Sequence, residues 1–71
     1  MKLYQQLSIL RPDQIVVIDF KTDLWDIVVS RIYEGETKDI LLNEKLYNEI
    51  KLYTVIGIET SEKALFITVT D

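Results

Sequence analysis

Hydrophobic positions along the chain fall into two kinds of pattern. Two blocks rich in β-branched and aromatic residues, QIVVIDF at 14–20 and LWDIVV at 24–29, have the composition of strands, and so do Leu52–Glu59 and Ala64–Thr70. Val, Ile, Phe and Trp fit a pleated, half-buried surface. Leu3, Leu7 and Leu10 instead share one face at helical spacing, and Leu42, Leu46 and Ile50 recur at every fourth position, as amphipathic helices require.

These patterns predict the elements in order. Lys2–Leu10 is a short helix ended by Pro12, whose ring biases Arg11 toward extended backbone. The first two strands form a hairpin with Thr22 and Asp23 at its tip. Phe20 then faces Trp25, Ile18 faces Ile27 and Val16 faces Val29 on the core side, with Asp19 opposite Asp26, Val17 opposite Val28 and Ile15 opposite Ser30 on the other. The second strand continues through Arg31, Ile32 and Tyr33 until Glu34, Gly35 and Glu36 break it. Thr37 is the predicted N-cap of a second helix carrying Leu42, Leu46 and Ile50, with a restart at Asn43. Lys38–Leu42 alone shows no decisive period and leaves an extended alternative open.

The second hairpin is predicted with Thr60–Lys63 as its loop, so that Ile58 meets Leu65, Ile56 meets Ile67 and Thr54 meets Val69 on one side, while Phe66 covers Gly57 on the other. The expected fold is α+β in the order αββαββ: helix, hairpin, helix, hairpin. Its four strands form a mainly antiparallel sheet with both helices on one face. KLYQQL at 2–7 resembles KLYNEI at 45–50, each ahead of a strand pair. Duplication and chance recurrence of a short helical word both explain this.

Length limits the chain, residues 1–71, to a single small globular domain, because a chain this short cannot divide into two pieces that each bury a core. It has no Cys and no His, so neither disulfides nor common zinc sets can brace it. No apolar run is long enough for a membrane span, and MKLYQQL has no basic region like that of a secretory signal. The expectation is a cytoplasmic protein with no membrane partner. Twelve acidic residues against eight basic ones give a net charge of −4. This acidity works against a nucleic-acid partner.

The chain lacks an imidazole base, a thiol nucleophile and a glycine-rich phosphate loop; its only glycines are Gly35 and Gly57. No cofactor, metal or catalytic residue is assigned. Asp19, Asp23 and Asp26 around the first turn carry oxygens that hard cations take, but their spacing matches no known loop, and a solvated turn is the simpler reading. The seven aromatic residues lack the basic groove that binders of single strands combine with stacking. Tyr53, Val55 and Phe66 are predicted on the outer face of the second hairpin, away from the helices, as a candidate protein interface.

KLYQQL, the strand VVIDF at 16–20, YEGE at 33–36, VIGIE at 55–59 and LFITV at 65–69 together resemble small proteins encoded in phages and prophages of low-GC Gram-positive bacteria. That resemblance implies an accessory protein of a mobile element, cytoplasmic in its host, and brings no catalytic residue with it. Size, acidity and missing catalytic groups lead to the expectation of a non-enzymatic protein-interaction module, acting through a sheet face or edge on a host or phage protein. The alternatives are a structural homo-oligomer joined through the same surfaces, and a metal-dependent enzyme using carboxylates alone.

Overall fold

The computed structural model describes residues 1–21 and 29–71. Its elements run α1 (Leu3–Ser8), β1 (Ile15–Lys21), β2 (Val29–Glu36), α2 (Thr37–Leu42), α3 (Glu44–Ile50), β3 (Thr54–Thr60) and β4 (Leu65–Thr70). The strands form one mixed sheet in the order β2-β1-β4-β3, antiparallel within each sequential pair and parallel between the two central strands. One buried cluster joins Leu3 and Leu7 of α1, Ile40 of α2 and Ile50 of α3 to Val16, Ile18, Leu65, Ile67 and Val69 of the central strands. The helices therefore cover one face, as the periodicity predicts, although the described residues form three helices and the central pair is parallel.

Where the helices start explains how they dock. The first N–H groups of a helix have no carbonyl within it to bond. In α1, Leu3 N–H donates to Tyr53 C=O at 2.8 Å and Tyr4 N–H to Lys51 C=O at 3.0 Å, which fastens the helix to the segment entering β3. In α2, Thr37 N–H donates to Gln14 C=O at 2.9 Å and Lys38 N–H to Pro12 C=O at 3.0 Å. Thr37 is not the cap: Glu36 holds that position, and Thr37 is fully buried with its hydroxyl also donating to Gln14 C=O at 2.9 Å.

The restart at Asn43 is real. Its backbone leaves the helix at φ −86°, ψ 82°, and its side-chain oxygen accepts Leu46 N–H at 3.2 Å. Because the break resets the helical phase, the stripe that reaches the core is Ile40 and Ile50 with Leu46 half-buried, while Leu42 is exposed. Lys38–Leu42 is helical, not extended.

In the first strand pair the register is corrected. Lys21 pairs with Val29, Phe20 with Ser30, Asp19 with Arg31, Ile18 with Tyr33, Val17 with Glu34, Val16 with Gly35 and Ile15 with Glu36. β2 thus runs through Glu34–Glu36 instead of breaking there, with a bulge that leaves Ile32 as the extra residue. Trp25, Ile27, Val28, Asp23 and Asp26, with the turn expected at Thr22 and Asp23, lie outside the described residues. Val16, Ile18 and Phe20 face the helices as expected, because they alternate along one unbroken strand, whereas the bulge in β2 puts Val29, expected on the core side, opposite Lys21 and leaves it half-exposed.

The second pair is displaced by two residues toward the loop, so that Ile58 meets Ile67, Glu59 meets Phe66 and Thr60 meets Leu65. Gly57 lies opposite Thr68, not under Phe66. A bulge at Ile56 then shifts the pairing to Val55 with Val69 and Thr54 with Thr70. The loop is held by Ser61, whose N–H donates to Ala64 C=O at 2.9 Å and whose hydroxyl oxygen accepts Ala64 N–H at 3.2 Å.

The layout argues against duplication. The first pair runs inner strand then edge strand, the second edge then inner, and the two inner strands are parallel. With the helices of both halves on one face, the halves are of opposite hand and no rotation superposes them. No helix among the described residues is long and apolar enough to cross a membrane.

Candidate functional site

The predicted interface does not assemble as one patch. Val55 sits opposite buried Val69 and packs on the core, and Tyr53 does the same with its ring centroid 5.0 Å from that of Phe20. Phe66, between buried Leu65 and Ile67, lies on the other face. The bulge at Ile56 is the cause: one extra residue reverses the side on which every earlier position of the strand falls. Tyr53 and Val55, expected on the open face, are thereby turned under the helices.

That open face is mostly polar and already engaged in cross-strand pairs. Arg31 on β2 donates from Nε to Asp19 at 3.2 Å and from Nη1 to Glu34 at 3.0 Å. The hydrogen bond and charge of Asp19, more than those of Glu34, raise the Arg31 guanidinium above its ordinary pKa. Asp19 thus serves as an ion-pair partner in β1. Among the described residues no three acidic groups converge on a common point. Val17 lies on this face between Glu34 and Phe66 in register and is nonetheless buried.

Among the described residues, depressions open beside the helix layer and near the β3–β4 loop. One of about 320 Å³ is lined by Tyr4, Tyr47, Lys51 and Leu52 where α1 meets the end of α3. The matching words KLYQQL and KLYNEI thus each contribute their tyrosine to its lining. Another, about 190 Å³, is lined by Arg11, Asp13, Gln14, Ile15, Glu62 and Lys63, with Arg11 Nε 3.4 Å from Asp13. Its lining holds two carboxylates and two cations, of which Arg11 and Asp13 form an ion pair. Ser8 and Ser61 are tied to backbone carbonyls, Ser8 Oγ donating to Gln5 C=O at 2.8 Å and Ser61 Oγ to Ala64 C=O at 3.2 Å.

The sheet edges differ more sharply. Both edge strands are bulged, but β2 also carries Arg31, Glu34 and Glu36, charges that discourage pairing with another chain. β3, the other edge, carries Ile56 and Ile58, 47% and 44% exposed, and within Ile56–Thr60 only the charge of Glu59. This edge already receives backbone at one end. Val55 N–H donates to Met1 C=O at 2.8 Å, and Lys2 forms an antiparallel bridge with Thr54, its ammonium 3.3 Å from the Thr54 hydroxyl. Beyond Val55, no other strand of the described residues flanks the outer side of Ile56–Thr60.

Ile56 and Ile58 escape the sequence reading because it pairs both with core residues. The run Ile-Gly-Ile marks a strand, but nothing local marks an edge strand. Compared with known proteins, the chain matches no family model, none of the curated proteins and none of the solved structures.

Proposed function

We propose that this protein is a non-enzymatic interaction module that takes up an extended segment of a partner protein along the free part of β3. The observation that carries this reading is the antiparallel pairing of Met1 and Lys2 with the start of β3: this edge accepts backbone from outside the four strands, and Ile56 and Ile58 beside that contact are exposed. Strand addition draws affinity from main-chain hydrogen bonds and selectivity from alternate side chains. The edge offers both, with Ile58 toward the helix side and Glu59 toward the open side.

Supporting features are the absence of His and Cys and the net charge of −4, which favours a protein partner over nucleic acid. The resemblance to small phage and prophage proteins adds the setting of a mobile-element accessory factor in a bacterial cytoplasm. The test is capture from a Gram-positive host lysate with wild type and Ile58→Lys side by side, followed by hydrogen exchange on the captured complex. A partner held by wild type, lost by the variant and protecting the amides of 56–60 is the expected result. A partner held equally by both refutes the edge as the docking site.

A further inference from the structure

Resting on that reading, we infer that the segment added to β3 is the β3 of a second copy, paired antiparallel about a two-fold axis through Ile58. A two-fold normal to a sheet must pass between residues of the same number, because each residue and its symmetry mate lie on the same face. Within Ile56–Thr60 the choices are narrow. An axis at Glu59 sets two carboxylates directly opposite each other, which is unfavourable. One at Gly57 sets Glu59 against Val55, whose N–H is already bonded to Met1. An axis at Ile58 uses every residue of the free run, placing Ile58 opposite Ile58, Glu59 opposite Gly57 and Ile56 opposite Thr60.

The side chains suit that register. Ile58 lies beside fully buried Ile67 on the helix-covered side, so two Ile58 side chains extend both cores into one. On the open side Gly57 has no side chain, and the nearest atom to a Cβ built there is Thr68 Cβ at 3.8 Å, which leaves room for the partner's carboxylate-bearing chain. The joint sheet runs β2-β1-β4-β3-β3-β4-β1-β2 with the helices of both copies on one face, and each remaining edge is a β2 carrying Arg31, Glu34 and Glu36.

The chain has no cysteine, so single-cysteine variants report the register cleanly. In sedimentation velocity over a dilution series, wild type is expected to shift from dimer to monomer. Because each copy carries −4, added salt should strengthen the dimer by screening repulsion, whereas a basic foreign partner would bind more weakly. On mild oxidation Ile58→Cys should cross-link several-fold faster than Ile56→Cys or Thr60→Cys alone, while a mixture of the latter two cross-links to each other. Ile58→Lys should be monomeric with an unchanged circular dichroism spectrum, and Ile58→Thr, a milder change, should dimerise more weakly than wild type. Equal cross-linking at the three positions, or a monomer at every concentration, overturns the inference. If that monomer still captures a partner in an Ile58-dependent way, strand uptake stands and only self-pairing falls. If capture is also insensitive to Ile58, both fall.

Discussion

The hydroxyl of Tyr33 donates to the carbonyl of Glu36 at 2.6 Å, bridging over Gly35 at the point where β2 turns into α2. Gly35 has φ +157°, and a Cβ at this position would stand 2.9 Å from the Tyr33 hydroxyl oxygen. The bond and the bare backbone are parts of one arrangement. Tyr33 closes the end of β2, and only glycine leaves room for it.

Gly35→Ala is therefore expected to destabilise the fold by about 1–3 kcal/mol, from backbone strain and the contact with Tyr33 together. Chemical denaturation measures it. In a Tyr33→Phe background, where the hydroxyl is gone, the same substitution should cost less. An equal cost in both backgrounds would locate the whole effect in the backbone.

Tyr33 also gives a pH signature. Burial first, then the charges of Asp39 and Glu36, raise its phenol above the ordinary value of 10.0. With the folded value above the unfolded one, the folded state keeps its proton longer. The stability this brings is complete below pH 10.0 and is lost as pH rises from there through the folded value. Denaturation midpoints measured across that window should fall with pH more steeply for wild type than for Tyr33→Phe.

Thr37→Val removes the hydroxyl that donates to Gln14 C=O while the backbone N–H of residue 37 keeps that carbonyl satisfied. No buried acceptor is orphaned, so the expected loss is about 1 kcal/mol, the net worth of one hydrogen bond. Thermal unfolding of the variant decides it. A loss several times larger would mean that α2 detaches from the entry to β1.

Ile67 and Ile58 face each other across β4 and β3, one fully buried and the other 44% exposed. Ile67→Ala should cost about 2–5 kcal/mol through lost burial and the cavity left behind. Ile58→Ala, measured in dilute solution where the chain is monomeric, should cost about 1 kcal/mol or less. Equal costs would place Ile58 inside the core and remove the free edge.

Much of the fold is legible in the residues taken alone. The alternation of Val16, Ile18 and Phe20, and of Leu65, Ile67 and Val69, assigns the covered side of both central strands. Leu3 and Leu7 mark the buried stripe of α1, and Asn43 marks the helix restart. These are short-range properties, set by the periods of helix and strand and by the chemistry of a cap. The candidate interface is much less legible. Tyr53, Val55 and Phe66 lie on one face only if the strand is unbroken, and the sole local mark of the bulge at Ile56 is Gly57, which equally fits a glycine covered by an aromatic ring across the pair.

What the sequence by itself determined is that the segments around Leu3–Leu7 and Leu46–Ile50 are helix and those around Val16–Phe20 and Leu65–Val69 strand, and which side of each inner strand is greasy. Tertiary structure alone decided the pairing of Lys21 with Val29, the parallel contact of β1 with β4, and hence that β3 is an edge with Ile58 half exposed. The physical reason is that alternation repeats every second residue, so a strand can slide by two without exposing its apolar side, and only contacts distant in sequence select among the slides. An edge is likewise a property of the assembled sheet, which no residue carries before its neighbours are in place.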